Sequence, residues 1–429
     1  MMSGYSSLLN TTSLLITGAS GSTANLENKP VVEMERLNVS VNISQNESDF
    51  NEKEYLEIYL GMRHIRNDVV IFLTVVYVVI FISGIVGNVL TCFVVLRNKY
   101  MHTTTNFYLL SLAASDVLTL LLALPPDVST IWEAYPWRFG LGFCIIKSFV
   151  SEMTAYASVL TITAFTIERY VAICHPLKAH SWSSLSRAVR IILLIWTVAC
   201  GLALPYPIHA RTFYGVQHPQ TGENLEDSLL CNIPVDFRER MKYMFQFSTF
   251  AFFVIPMVVI TIMYVLIGVR LWKSQMAVDE KKNKTAAEAA SKARKAVLKM
   301  LVAVVIAFFV CWAPFHTQRL MTIYIPQERW TDDLLRLQTY IFYISGLLYF
   351  VSSVVNPILY NVLSKKYRTA FKRTLCQCWP KSGYTNDMSV YKSSRSCGTS
   401  VTIYTNHKLL PKEKSRILNS DSEIVHSAL

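Results

Sequence analysis

Charge is scarce in this chain. Only 16% of its 429 residues are charged, against about 25% in a typical soluble domain. Hydrophobic residues make up 52% and mean hydropathy is +0.32. That balance excludes an ordinary soluble domain and points to an integral membrane protein. Acids are scarcer than bases, leaving a net charge of +12. The bases sit mostly in short segments flanking apolar stretches, a membrane pattern, so no nucleic acid is expected as a partner. No basic n-region precedes an apolar h-region, so no cleavable signal peptide is expected. The apolar stretches hold no His-x-x-x-His and no paired aspartates at catalytic spacing, which argues against an intramembrane enzyme. They show no repeat symmetry and no stretch like a selectivity filter, which argues against the rival class of transporter or channel. Nine cysteines, an odd number, do not suit a disulfide-dense secreted scaffold.

What is there is length in the right units. Seven apolar stretches, near 69–96, 105–130, 141–174, 188–208, 243–271, 296–325 and 334–361, are each long enough to span a bilayer. With no water to satisfy the backbone there, helix is the expected form. Bases crowd the segment between the fifth and sixth stretches (Arg270, Lys273, Lys281, Lys282, Lys284, Lys292, Arg294, Lys295 and Lys299). The opposite loops carry fewer, so the N-terminus is expected outside and the C-terminus in the cytosol. Arg63 and Arg66 weaken that bias locally. Sequons at Asn10, Asn38, Asn42 and Asn46 agree with it and predict glycosylation. The expected fold is an all-α membrane protein: a seven-transmembrane helix bundle with a short amphipathic eighth helix, multi-pass in the plasma membrane. Residues 1–66 are expected as an extracellular glycosylated tail without helical or strand periodicity, and 67–363 as the transmembrane domain. Residues 364–378 form a basic amphipathic helix along lipid, with Cys376 and Cys378 placed for palmitoylation. Residues 379–429 read as a disordered cytoplasmic tail.

The third stretch is the axis of the chain. Between Cys144 and His175 it carries Glu152 near its outer end and Arg169 at its inner end. Ionisable groups on such a helix are costly and therefore signal function. One helix thus joins a ligand site to a signalling site. Asp116, mid-way along the second stretch, must find partners or stay protonated. Pro256, Pro314 and Pro357 each remove a backbone donor and bend a helix.

Local patterns on these stretches occur in a fixed order: Gly87-Asn88-Val89-Leu90, Ser111-Leu112-Ala113-Ala114-Ser115-Asp116, Glu168-Arg169-Tyr170, Trp196, Cys311-Trp312-Ala313-Pro314 and Asn356-Pro357-Ile358-Leu359-Tyr360, with Pro256 and Tyr264 on the fifth. From about residue 66 to 378 the chain resembles a rhodopsin-like (class A) G-protein-coupled receptor. The resemblance implies a Cys144–Cys231 disulfide and a sodium site at Asp116, Asn88, Ser158 and Asn356; no other cofactor or metal is implied. It also implies a switch. Trp312 senses the pocket, Glu168 holds Arg169 in the resting state, and Tyr264 and Tyr360 swing inward on activation beside Tyr170, Pro256, Pro314 and Pro357. A heterotrimeric G protein of the Gq class, with arrestin and receptor kinases at the tail, would be the cytosolic partners, and membrane lipid the surround.

Amine receptors keep an aspartate where this chain has Ser151, and opsins a lysine where it has Phe350, so both ligand classes are set aside. Glu152 and Arg319 remain, as an internal ion pair closing the empty pocket, as a cradle for a peptide, or as both in exchange. Phe315, His316 and Tyr343 are the further candidate ligand contacts. Leu124-Pro125-Pro126-Asp127, residues 132–140, residues 158–170 and Ser184-Leu185-Ser186-Arg187-Ala188 are similar to the neuromedin U receptor group, which includes the invertebrate pyrokinin and Capa receptors. Leu141-Gly142-Phe143-Cys144, residues 151–158 and the long acidic outer loop look closer to the Capa branch. That resemblance implies a short amidated ligand ending in Pro-Arg-X-amide, its arginine suited to Glu152, and calcium release as the output. Receptors for thyrotropin-releasing-hormone, neurotensin or ghrelin-like peptides are the alternative within the class. The terminal Ser427-Ala428-Leu429 matches a short PDZ-ligand pattern.

Overall fold

The computed structural model describes residues 50–177, 179, 184–234, 237–279, 284–326, 329–363 and 365–378. The four sequons, the tail beyond residue 378 and its PDZ-like end lie outside the described residues.

Side-chain caps set the starts of three helices. α1 (Glu52–Leu60) is capped by the Asn51 side chain and stopped by Gly61 at φ 82, a backbone angle that glycine adopts without strain. It lies in the segment read as a tail without periodicity. Four of its nine residues are charged (Glu52, Lys53, Glu54 and Glu57), and of the five apolar ones only Leu56, Tyr59 and Leu60 are buried, too short a run to stand out. α2 spans Asn67–Arg97. α3 (Thr104–Leu122) is capped by Thr103, then passes at Ala123 into α4 (Leu124–Trp132), with proline in its first turn. α5 (Gly140–Cys174) is the long axial helix. α6 (Leu185–Ala203) is capped by Ser184 and followed by the single turn α7 (Pro205–His209). An antiparallel hairpin follows, β1 (Arg211–Tyr214) on β2 (Leu229–Asn232), with Thr212 opposite Cys231. α8 (Arg238–Thr249) runs through a π-helical turn at Phe250–Val254 into α9 (Ile255–Asp279). α10 (Lys284–Tyr324), α11 (Asp332–Leu363) and α12 (Lys365–Cys378) complete the order.

Six spans, Asn67–Arg97, Thr104–Trp132, Gly140–Cys174, Leu185–His209, Arg240–Lys273 and Asp333–Leu359, are long and apolar enough to cross a membrane. α10 carries the remaining apolar stretch and packs on α11 and α9. α5 touches α3, α6, α7 and α9. Between helices in lipid, close packing replaces the hydrophobic drive, and small residues permit it. A Cβ at Gly87 would lie 2.9 Å from Pro357 Cβ, so the glycine lets α2 lie against the proline bend of α11. The π-turn stands directly before Pro256, while Pro314 and Pro357 lie inside α10 and α11. A missing donor bends a helix at these places. α12 is fastened to α2: the Tyr367 hydroxyl donates to Thr91 Oγ1 at 2.8 Å, and Asn98 Nδ2 to Thr374 Oγ1 at 3.0 Å. Cys376 and Cys378 occupy its last turn, and their side chains lie outside the described residues.

The Cys144–Cys231 disulfide closes a separation of 87 residues. In the chain-entropy model a loop of that length contributes about 4–5 kcal/mol. It also ties β2 to the outer end of α5.

Candidate functional site

A cavity of about 150 Å³ opens between the outer ends of the helices and the hairpin, with Glu152, Arg319, Tyr206, Phe245, Phe315 and Tyr343 among its walls. Glu152 sits on the inward face of α5, two turns below the disulfide, and Arg319 on α10 beyond the Pro314 bend. The two pair through both guanidinium nitrogens, Nη1 at 3.2 Å from Glu152 Oε2 and Nη2 on Oε1. Their side chains are 10% and 13% exposed. The guanidinium also lies over three rings, 4.5 Å from Phe315, 4.8 Å from Phe245 and 5.5 Å from Tyr206. Aromatic faces are where a cation loses least on leaving water. Arg319 also donates to the Tyr206 hydroxyl at 3.4 Å. The Tyr156 hydroxyl bonds to Tyr206 and to Ser248, each at 3.1 Å. Tyr156 stacks on Phe252, inside the π-turn, at 3.8 Å between centroids. The charge pair is thus wired to the irregular part of the fifth span.

Phe315 and Tyr343 line the cavity, as do Trp137 and Phe342. His316 does not. It is buried a layer outward from the bundle axis, with Nδ1 3.2 Å from Thr249 Oγ1 and its ring 4.8 Å from Phe253. The reason is helical angle: one step from Phe315 turns the side chain by about 100°, away from the cavity and onto α8. Trp312 lies one turn further in, edge-on to Tyr349 at 5.7 Å and to Phe315 at 6.1 Å, and it meets the cavity through Phe315, which lines it.

A second buried pair escaped the sequence reading. Lys147 Nζ lies 2.5 Å from Asp127 Oδ1, with side chains 10% and 5% exposed, and 5.6 Å over the Trp137 ring. Asp127 had entered only as part of a family pattern. The signal available was an acid directly after the Pro125-Pro126 pair and a lysine one turn below Cys144.

Further in, Asp116 is buried and accepts a hydrogen bond from Asn356 Nδ2 at 3.1 Å. Among the described residues no lysine or arginine pairs with it. Ser158 Oγ lies 2.8 Å from Ser115 Oγ, beside Asp116 in sequence. The Ser353 side chain bears on the Asp116 carboxyl as well, and a buried carboxylate with amide and hydroxyl oxygens beside it is a hard oxygen set, which fits an alkali cation. Asp116 and Asn356 would hold it, with Ser353 beside them. Asn88 spans to α11 backbone, its Nδ2 donating to Gly84 O at 2.9 Å and Ser353 O at 2.8 Å, so it ties α2 to the helix that carries Asn356.

At the cytoplasmic end Glu168 does not hold Arg169. Both carboxylate oxygens accept from Arg187 Nη2, at 2.7 and 2.5 Å. Adjacent helix residues do not face one another. Glu168 looks toward α6, where the Ser184 cap sets Arg187 one turn in. Arg169 turns inward, its guanidinium 5.5 Å over Phe165. The Tyr264 hydroxyl lies 3.0 Å from Thr166 Oγ1, and the Tyr170 hydroxyl 3.3 Å from His175 Nε2. The Tyr360 side chain lies outside the described residues.

An outer charged cavity, a bundle of bent helices and an arginine-bearing inner end on one axial helix define a membrane receptor. The chain belongs to the rhodopsin family of seven-transmembrane receptors, whose family model matches residues 87–360. It is a multi-pass protein of the plasma membrane. Its relatives are receptors too. The chain is 40% identical to the pyrokinin-1 receptor of Drosophila melanogaster over 377 residues, covering 76% of this chain and 85% of that protein. It is 39% identical to a neuromedin U receptor homologue of Caenorhabditis elegans, covering 75% and 83%. With the neuromedin-U receptor 2 of Homo sapiens it shares 37%, covering 75% of each chain.

Proposed function

We propose that this receptor answers a short C-terminally amidated neuropeptide of the Pro-Arg-X-amide type, with Capa (periviscerokinin) peptides favoured over pyrokinins. The observation that carries the reading is the Glu152–Arg319 pair in an aromatic-walled cavity open to the outside. A peptide arginine exchanges with Arg319 for Glu152, and Arg319 falls back on its three rings and takes a carbonyl or carboxamide. The relatives named as pyrokinin and neuromedin U receptors support a ligand of this class.

The output follows from a two-state bundle. An agonist with higher affinity for the open form shifts the population toward it. The bends at Pro256, Pro314 and Pro357 are the pivots, and Tyr264 and Tyr360 support the open state in which Arg169 engages a Gq-class G protein and calcium rises. Arrestin and receptor kinases act at the tail. Asp116 and Asn356, with Ser353 beside them, form the sodium site, Asn10, Asn38, Asn42 and Asn46 carry glycans, and Cys376 and Cys378 carry palmitate.

A second reading, a pyrokinin as the natural ligand, is favoured by the Drosophila relative's name. A calcium assay in transfected cells separates the two. Response to Pro-Arg-Val-amide but not Pro-Arg-Leu-amide peptides supports Capa, and the reverse order supports pyrokinin. Silence to every amidated peptide, with receptor on the surface, overturns both.

A further inference from the structure

Outside the membrane the chain builds a second hydrophobic core. Leu56, Tyr59 and Leu60 of α1 pack with Tyr135 and with Val216, Leu225 and Leu230 around the hairpin. The approach is close: a Cβ at Gly215 would lie 2.8 Å from Leu60 Cδ2. Backbone ties reinforce it. The Tyr135 hydroxyl donates to Gly61 O at 2.7 Å, and Ala134 N–H to Arg63 O at 3.0 Å. One side chain joins all three segments. Arg63 donates from Nε and Nη2 to Glu133 Oε1 at 3.1 and 2.8 Å, and from Nη1 to Asp227 Oδ2 at 2.6 Å. Its side chain is 17% exposed, whereas that of Arg66, three residues on, is 82% exposed. Arg63 is therefore a built-in joint, unlike its solvated neighbour. Met62, Arg63 and Ile65 line the same cavity as Glu152, so this segment is part of the wall a ligand at Glu152 would meet.

We infer that residues 51–66 are a fixed wall of the ligand vestibule, and that Arg63 is the positioning residue that sets its aperture against the part of a peptide lying outside the bundle. The inference rests on the peptide-receptor reading above. Arg63 acts through the loops it joins: Nε, Nη1 and Nη2 each donate to Glu133 or Asp227, which holds α1 and the hairpin together as the wall. A peptide reaching Glu152 with its last residues lays its earlier residues along this wall. Short peptides ending inside the bundle do not.

The test uses the full-length receptor on intact cells, with surface density matched by antibody staining. Two labelled probes are compared, a short Pro-Arg-X-amide core peptide and the same peptide extended at its N-terminus. Arg63→Gln is expected to weaken the extended probe by about tenfold, because the wall that probe lies along is no longer held in place, and the short probe by less than about threefold. Asp227→Asn should act in the same direction. The double variant should be no worse than Arg63→Gln alone, because both changes open the same joint. Unchanged binding of the extended probe overturns the wall. Equal losses for both probes overturn the division between outer and inner contacts. Additive losses mean that Arg63 touches the ligand itself, which overturns the positioning role. If the wild type binds neither probe, the ligand reading has failed, and hydrogen exchange of the α1 amides decides the wall: protection in the wild type that is lost in Arg63→Gln upholds it, and unprotected amides in the wild type overturn it.

Discussion

Replacing Glu152 by glutamine separates the two uses of the charge pair. In the structure Glu152 holds Arg319 through both guanidinium nitrogens, at 10% side-chain exposure. Removing one member of a buried pair costs about 3–5 kcal/mol of stability when the remaining charge is stranded. Arg319 is only half stranded, with rings at 4.5, 4.8 and 5.5 Å and the Tyr206 hydroxyl at 3.4 Å. Surface expression should therefore fall, not vanish. Binding responds differently. A ligand arginine on Glu152 gains a charge-assisted contact of about 1.5–3 kcal/mol, from which the cost of displacing Arg319 is subtracted. The net expectation is a loss of about 10- to 100-fold in peptide affinity for Glu152→Gln. In the double variant Glu152→Gln with Arg319→Met neither member of the pair is left stranded, so expression should recover while affinity does not. Peptide competition on intact cells at matched surface density reads the first effect, and antibody staining the second. Affinity within about twofold of the wild type would refute direct ligand contact and leave the pair as a latch of the empty receptor.

Other outcomes follow from the geometry. Arg169→Ala should retain peptide binding and abolish calcium release; intact release would mean that the inner end of α5 is not the coupling element. Replacing sodium by choline should raise agonist affinity in the wild type and leave Asp116→Asn unchanged, and a sodium effect surviving in Asp116→Asn would place the ion elsewhere. Glu133 is held at about 2 by its hydrogen bonds with Arg138 and then Arg63, against a desolvation that pushes the other way. A depressed acid stabilises the fold above its ordinary value near 4.5, and that contribution is lost as pH falls through about 2. The outer assembly should therefore keep the same α1 amide protection at about pH 5 as at neutral pH, and loosening by pH 5 would show that Glu133 is not the joint described.

The sequence alone was enough to determine the number and order of the spans, because bilayer thickness and backbone hydrogen bonding leave helix as the answer to each long apolar stretch. It also singled out Glu152, Arg319 and Asp116, since isolated charges in such stretches have few innocent explanations. Direction around a helix was decided by packing. His316 neighbours Phe315 in the chain yet faces α8, and Glu168 neighbours Arg169 yet bonds Arg187, because about 100° per residue sends adjacent side chains to different partners. Pairings across long separations were equally hidden. Asp127 with Lys147, and Arg63 with Glu133 and Asp227, exist only once turns of different segments have been brought together. The outer helix Glu52–Leu60 is the clearest case. Nine residues, four of them charged, do not announce a helix, and it acquires its fixed position from Tyr135 and from a hairpin that begins some 150 residues later in the chain, because a helix this short is held by tertiary packing.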